Sequence, residues 1–258
     1  MAHILQQSPP SLYLKATGIL TIIGSFNAAY SEFRGANYTY SKFAQTRQVK
    51  EAKKISSRNG MLICYGPSLV ASLVFLLYKG AGPHLLALAS ALTIHFLKRE
   101  LEVLFLHRYS GYMILQTAFS ISFVYFFQTV NLLYAQQISE GLQPPGRDLM
   151  WFGVALFCIG IGGNFYHHYL LSRLRKNGKT GYVVPSGGLF DLVVCPHYLF
   201  EIVDWMGLAF ISQTLYSWVS VFWTVVYLSS RSYATRQWYL QKMEDFPKQR
   251  KALFPFIF

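Results

Sequence analysis

Charged residues are scarce in this sequence. Asp, Glu, Lys and Arg make up 13% of its 258 residues, whereas an ordinary soluble domain carries roughly a quarter. Hydrophobic residues make up 53%, aromatic residues make up 17%, and the mean hydropathy is +0.28. This balance excludes a disordered chain, a coiled coil and a collagen-like fibre, and it indicates a membrane protein.

Cysteine is scarce as well. The three cysteines, Cys64, Cys158 and Cys195, are far apart, and none belongs to a CxxC motif. A disulfide framework and a structural zinc site are therefore not expected. The adjacent His167 and His168 have no neighbouring carboxylate in the sequence, so we expect no metal. No GxGxxG motif is present, which excludes a Rossmann domain.

Long apolar runs are abundant. A spanning helix needs about 20 mostly apolar residues. Seven stretches qualify or nearly qualify, at residues 12–29, 61–78, 83–97, 112–134, 149–171, 198–212 and 215–230. They predict an all-α fold, a polytopic membrane protein with a seven-transmembrane-helix bundle. No N-terminal signal peptide is evident, so we interpret the first stretch as an uncleaved anchor.

The basic residues are distributed unevenly between the predicted loops. With the N-terminus outside, the inside segments 30–60, 98–111, 172–197 and 231–258 carry 20 of the 23 Lys and Arg residues. The outside loops carry only Lys79 and Arg147. The positive-inside rule therefore favours seven spans with a cytosolic C-terminus. The same topology explains the net charge of +12 without a nucleic-acid partner.

Ionisable residues within predicted spans are costly, so they mark candidate functional positions. His95 and Arg99 share a helical face, as do Lys98 and Glu102, because residues four apart are neighbours on a helix. Two further groups are Asn164, His168 and Arg175, and His197, Glu201 and Asp204. Together they predict a polar cavity that fits an anionic ligand and a flat apolar co-substrate. An enzyme, a lipid-phosphate binder and a transporter are all compatible with this pattern.

Several motifs follow one another between Gly163 and Phe258. They are Asn164…His168…Arg173-Leu-Arg175-Lys176, Tyr182-Val-Val-Pro-Ser-Gly-Gly-Leu-Phe190, Cys195-Pro-His-Tyr-Leu-Phe-Glu201…Asp204-Trp205, and Tyr239…Glu244-Asp-Phe-Pro-Lys248…Arg250 with the closing residues to Phe258. In order and spacing this stretch resembles the C-terminal domain of the steroid 5α-reductase family. The segment from His95 to Arg108 is similar to the very-long-chain enoyl-CoA reductases, a sister group. The whole chain looks most like a plant-type branch of the family.

The resemblance implies a multi-pass protein of the endoplasmic reticulum membrane. It divides the chain into N-terminal transmembrane helices with a basic cytosolic loop, residues 1–110, and a reductase-like membrane domain, residues 111–258, in one structural unit. It further implies hydride transfer from NADPH to the β-carbon of a lipophilic enone, followed by protonation of the α-carbon. The implied partners are this substrate and membrane lipid, and no obligate protein partner is expected.

The resemblance also implies site residues. Positions at which the family contacts NADPH are occupied by Asn164, Arg175, Tyr182, His197, Glu201, Arg231 and Tyr239, with Arg99 and Arg108 at further cofactor-side positions. His168 stands at a cofactor position where an Asp is more usual, and His197 stands where an Asn is more usual.

The catalytic positions depart from the family pattern. Steroid 5α-reductases carry a Tyr where this chain has Phe96, and Cys64 aligns loosely with their partner Glu. The pair that polarises the steroid ketone is therefore missing. Tyr198 matches a Tyr regarded as the proton donor of the enoyl-CoA reductases, so we expect it to act as general acid or oxyanion donor, with His95 or His197 as the alternative.

Three functions are compatible with these observations. The leading hypothesis is reduction of a 3-oxo-Δ4-steroid. The enzyme alternative is reduction of a very-long-chain trans-2-enoyl-CoA in fatty-acid elongation, which the segment from Lys98 to Glu102 favours. The other alternative is a non-catalytic lipid-binding protein, favoured by the changes at Phe96 and Cys64.

Overall fold

The computed structural model describes residues 4–35, 52–109, 111–174 and 183–258. Within these ranges the chain forms seven α-helices: α1 Leu12–Phe33, α2 Ser57–Leu76, α3 Pro83–Leu101, α4 Leu115–Ser139, α5 Met150–Arg173, α6 Pro196–Ser212 and α7 Leu215–Lys242. Each helix coincides with one of the seven predicted stretches. The predicted all-α class is confirmed.

Local signals in the sequence set several of the helix starts. Ser11 Oγ accepts a hydrogen bond from Leu14 N at the start of α1, and Thr214 caps α7 in the same way. Pro83 and Pro196 occupy the first positions of α3 and α6, where a missing backbone N–H costs nothing. The third predicted stretch ends at residue 97, whereas α3 continues to Leu101 and a π-helical turn over Glu102–Leu106 follows it directly.

The strand content is small. β1, Lys54–Ser56, pairs antiparallel with β2, Tyr112–Ile114, and places Ile55 opposite Met113. The pairing of these two strands holds the start of α2 beside the start of α4. Helices α2, α3 and α4 pack together on this side of the molecule.

The closest helix pair is α5 with α6, and glycines make that approach possible. A Cβ atom on Gly153 would lie 2.5 Å from Ile211 N, and one on Gly207 would lie 2.5 Å from Phe157 N. A Cβ atom on Gly160 would overlap the backbone of Asp204. Small residues therefore let these two backbones touch.

The C-terminal residues fold back on the start of α6. Val193 forms a parallel bridge with Lys251, and Val194 N and Cys195 N donate to Lys251 O and Ala252 O at 2.9 and 3.2 Å. This strap holds the residues that lead into α6.

Two helices, α2 and α4, are long and apolar enough to cross a membrane by length and composition. Many large side chains on the other helices are exposed as well, among them Ile19, Leu20, Phe26, Trp151, Ile159 and Leu215. The seven-span arrangement stays a prediction.

Candidate functional site

The carboxylate of Glu102 is the centre of a buried polar cluster. It lies where α3 passes into the π-helical turn and is 2% exposed. Its oxygens contact Lys98 Nζ at 3.1 Å, Arg99 Nη1 at 2.8 Å, His168 Nδ1 at 3.0 Å and His107 Nε2 at 3.8 Å. The predicted pairing of Lys98 with Glu102 is confirmed. One carboxylate thus compensates two buried cations.

Arg99 extends this cluster to α2. Its Nη2 donates to Tyr65 Oη at 2.6 Å, and its guanidinium lies 4.8 Å from the Tyr65 ring centroid. Tyr65 is almost fully buried, and the sequence reasoning missed it. The tyrosine next to Cys64 in an apolar helix was the available signal, since a buried hydroxyl usually has a partner. Cys64 itself contacts Ala118 O through Sγ at 3.6 Å.

Asn164 connects the cluster to α6. Its Oδ1 accepts a hydrogen bond from Lys98 Nζ, and its Nδ2 donates to His197 O at 2.8 Å. The ring centroids of His168 and His197 are 5.4 Å apart, and those of His197 and Tyr198 are 4.3 Å apart. The structure therefore brings together Arg99, Asn164, His168, His197 and Tyr198, five residues that the family resemblance implies for the site.

A second buried pair lies on the same face of α3. His95 Nδ1 and Asp204 Oδ2 are 3.1 Å apart, and both side chains are almost fully buried. The His95 ring also lies edge-on to Trp205, with ring centroids 6.0 Å apart. Asp204 on α6 is therefore the carboxylate that contacts His95 on this face of α3. The sequence alone did not indicate this pairing.

A cavity that is partly open to the surface lies between α4, α6 and α7. Most of its wall is aromatic or aliphatic: Ile121, Val124, Tyr125, Trp205, Trp223, Tyr227 and Leu228. Its polar lining residues are Gln128, Glu201 and Thr224. Among the described side chains, none forms an ion pair with Glu201. An apolar cavity with a few polar groups is the usual form of a small-molecule site.

Other predicted site residues lie apart from this cluster. Arg231 Nη1 donates to both carboxylate oxygens of Glu32, at 2.9 and 3.0 Å, and thereby joins α7 to α1. Tyr239 stacks on Phe246 with ring centroids 5.3 Å apart, in the packing under the C-terminal strap. Arg108 is exposed in the segment after the π-helical turn. Arg175 and Tyr182 lie outside the described residues.

The segment before α6 approaches α5 through two glycines. Gly187 and Gly188 have φ values of 88° and 56°, in the region that favours glycine. Leu189 N donates to His167 Nε2 at 3.2 Å. Arg250 Nη1 donates to Pro185 O at 2.6 Å, so the C-terminal strap holds this segment as well. Half-buried Tyr109, just after the π-helical turn, has its pKa raised to about 12 by desolvation and stays protonated.

Three potential metal ligands meet in the cluster, which the sequence did not indicate. Ligand atoms of Glu102, His107 and His168 lie within 4.8 Å of one another. Lys98 and Arg99 contact the same carboxylate, however, and a divalent cation would repel both of them. The arrangement therefore favours an anion or a neutral polar group beside the cluster, and the absence of a metal stays a prediction.

Comparison with known proteins gives matches over most of the chain. The sequence profile described as 3-oxo-5-alpha-steroid 4-dehydrogenase matches residues 106–258. The 3-oxo-5-alpha-steroid 4-dehydrogenase 2 of Macaca fascicularis is 34% identical over 180 residues, which cover 69% of this chain and 70% of that protein. The Homo sapiens protein of the same name is 37% identical over 131 residues, and this match spans 51% of each chain. The type 1 protein of Mus musculus is 43% identical over 105 residues, 41% of each chain.

Proposed function

Because the chain belongs to the 3-oxo-5-alpha-steroid 4-dehydrogenase family, whose members are oxidoreductases acting on CH–CH bonds, we propose that it reduces the carbon–carbon double bond of a 3-oxo-Δ4-steroid with NADPH. The observation that carries this proposal is the position of Glu201. Its carboxylate lines the aromatic cavity, while His197 at the start of the same helix contacts Asn164 and His168 of the cationic cluster. A cofactor and an apolar substrate can therefore meet at one place.

The described residues fit a nicotinamide cofactor. The cluster of Lys98, Arg99 and Glu102 has one positive charge in excess, which suits a phosphorylated ligand. Glu201 would accept a hydrogen bond from the amide group of the nicotinamide, since no described side chain forms an ion pair with it. NADPH supplies a hydride when bound. We place Arg99, Asn164, His168, His197 and Glu201 at this site.

Arg108, Arg175, Tyr182, Arg231 and Tyr239 are proposed as further cofactor ligands on the family resemblance alone. For Arg231, a cofactor phosphate would compete with Glu32, which already accepts two hydrogen bonds from the Arg231 Nη1 atom.

The reaction also needs a proton for the α-carbon. We assign it to the Tyr198 hydroxyl, because Tyr198 packs with Leu228, which lines the cavity, and lies against His197. His197 and His95 are the alternative donors. His95 serves as a positioning group in the first instance, since it contacts Asp204 and the cavity residue Trp205. The aromatic wall keeps water away from the hydride.

We further propose that the chain spans the endoplasmic reticulum membrane seven times with its C-terminus in the cytosol. Two sufficiently apolar helices, the exposed apolar side chains of the others and the uneven distribution of Lys and Arg support this arrangement. A lipophilic substrate would then reach the cavity from the bilayer.

Product analysis tests the proposal. The purified full chain in detergent is given NADPH deuterated at both C4 positions of the nicotinamide, with androst-4-en-3-one and trans-2-hexadecenoyl-CoA in parallel. We expect only the steroid to gain one deuterium, at its β-carbon, and one solvent proton at its α-carbon. Reduction of only the acyl-CoA would move the protein to fatty-acid elongation. Absence of both products and of NADPH binding would favour a non-catalytic lipid-binding protein.

Two variants locate the cofactor in the same experiment. Glu201→Gln keeps the shape of the side chain and removes its charge, and we expect its NADPH dissociation constant to rise by about tenfold. Glu244→Gln makes the same change at an exposed position and should leave the constant unaltered. Equal effects of the two variants would contradict the placement of the nicotinamide beside Glu201.

A further inference from the structure

The cavity contains one buried side-chain amide group, that of Gln128. Gln128 on α4 lines the cavity and is 3% exposed. Its Nε2 atom is buried and has no hydrogen-bond partner among the described residues. An unpaired amide in an apolar wall is costly, and a bound ligand that accepts a hydrogen bond from it would remove that cost. Rotation about the terminal side-chain bond exchanges the amide nitrogen and oxygen, which allows either to face the cavity.

The position of Gln128 relates it to the missing catalytic pair. Tyr125 lies one helical turn earlier on α4 and also lines the cavity. Its ring contacts Phe96 at 5.9 Å and Tyr65 at 5.5 Å between centroids. Gln128 therefore lies one helical turn from Tyr125, whose ring contacts Phe96. Phe96 stands where steroid 5α-reductases carry a Tyr, and it has no hydroxyl to donate.

Among the non-aromatic residues of the cavity, the other polar groups are less suited to bind a carbonyl oxygen. Glu201 is an acceptor when ionised, and the proposed function assigns it to the amide group of the nicotinamide. The Thr224 hydroxyl donates to Ser220 O at 2.9 Å within α7. Gln128 is an uncharged donor whose N–H groups stay available at any pH at which the protein is folded.

We propose that Gln128 donates a hydrogen bond from Nε2 to the carbonyl oxygen of the enone, and thus stabilises the oxyanion that forms during reduction. This inference rests on the proposed function and extends it to a catalytic residue. The β-carbon would gain a C–H bond from the hydride that NADPH supplies as it is oxidised to NADP⁺, and the electron pair of the double bond would move toward the carbonyl, whose oxygen becomes an enolate oxyanion. Protonation of the α-carbon then restores the C=O bond. The amide keeps both of its protons throughout.

Steady-state kinetics of two Gln128 variants test this role. Gln128→Leu removes the donor at similar volume, and Gln128→Glu keeps the shape but offers a carboxylate. We expect kcat with androst-4-en-3-one to fall by about 10²-fold in both, with KM changed by less than about threefold, because the contact strengthens in the transition state. Gln137→Leu, on the same helix but outside the cavity, should retain the wild-type kcat. A rise in KM at unchanged kcat would overturn the proposal, since the amide would then bind a non-reacting part of the substrate.

A binding measurement separates this proposal from the proposed function. Trp205 and Trp223 line the cavity, so their fluorescence reports ligand binding. We expect wild-type protein to bind androst-4-en-3-one about twofold more tightly than androst-4-ene, which lacks the carbonyl, and Gln128→Leu to bind both equally. If no enone is reduced but this preference exists and is lost in the variant, the proposed function fails and the assignment of Gln128 holds. Equal wild-type affinity for both steroids would overturn the assignment even where reduction occurs.

Discussion

Arg231 Nη1 donates to both carboxylate oxygens of Glu32 across the interface of α7 and α1, and each of the two side chains is 2% exposed. The two residues are 199 positions apart in the chain. Removal of one partner from a buried ion pair leaves an uncompensated charge, which typically costs about 3–5 kcal/mol, whereas an apolar replacement of both partners is often neutral.

The first prediction follows from that asymmetry. Arg231→Met and Glu32→Leu should each lower the thermal unfolding midpoint in detergent, and the double variant should unfold at a higher temperature than either single variant. Circular dichroism at 222 nm measures the transition. A double variant less stable than both single variants would show that the pair does not act as a unit.

The same two single variants test the proposed cofactor contact of Arg231. If Arg231 binds a cofactor phosphate as well as Glu32, Arg231→Met should weaken NADPH binding by about tenfold or more, whereas Glu32→Leu should leave the guanidinium available and preserve the affinity. Equal affinities in the two variants would limit Arg231 to a role in packing.

The second prediction concerns Tyr198. Tyr198→Phe keeps the ring that lies against His197 and removes only the hydroxyl. We expect kcat for enone reduction to fall by about 10²–10⁴-fold, with NADPH affinity unchanged, because general acid catalysis contributes about that much. Tyr166→Phe, on the exposed face of α5, is the matched control. Wild-type turnover by Tyr198→Phe would move the assignment to His197 or His95.

The helices and the local pairs were predictable from the sequence, and the distant pairs were not. Each apolar stretch became a helix, and the spacing of Lys98 and Glu102 predicted their contact, because both signals depend on neighbouring residues. The contacts of His95 with Asp204 and of Arg99 with Tyr65 depend on how helices pack, which one sequence does not encode in any local pattern.

Helix ends were the weakest part of the prediction, for a related reason. The predicted first and seventh stretches end at residues 29 and 230, where polar residues interrupt the apolar run, but α1 continues to Phe33 and α7 continues to Lys242. Arg231 and Glu32 lie in these added turns. Arg, Gln and Leu are good helix formers, so the helices continue where hydropathy alone would end them.

The third prediction concerns the close approach of α5 and α6. Gly160→Ala would force a methyl group against the backbone of Asp204, where no flexible side chain can move aside. We expect it to destabilise the protein by about 1–3 kcal/mol, and to weaken the contact between Asp204 and His95. Gly162→Ala is the control two residues later, because a Cβ there meets nothing within 4 Å. That variant should be as stable as wild type or slightly more stable, since alanine favours a helix over glycine. Equal unfolding midpoints of the two variants would contradict the backbone contact.

The fourth prediction concerns the pH dependence of protein stability at the start of α5. Asp148 Oδ1 accepts hydrogen bonds from Met150 N at 2.9 Å and from His84 Nε2 at 3.2 Å. The bond from the Met150 amide, followed by the one from His84, lowers the pKa of Asp148 below its ordinary value of 3.8. A carboxyl group with a lowered folded-state pKa stabilises the protein above the unfolded-state value and loses that contribution as the pH falls through the folded-state value.

Asp148→Ala should therefore lower the unfolding midpoint by about 2–4 °C at pH 7. The difference from wild type should shrink as the pH falls below about 4. Asp245→Ala, at an exposed position after α7, should show no such trend. A deficit of Asp148→Ala that stays constant from neutral to acidic pH would mean that packing, and not the ionised carboxylate, supports the start of α5.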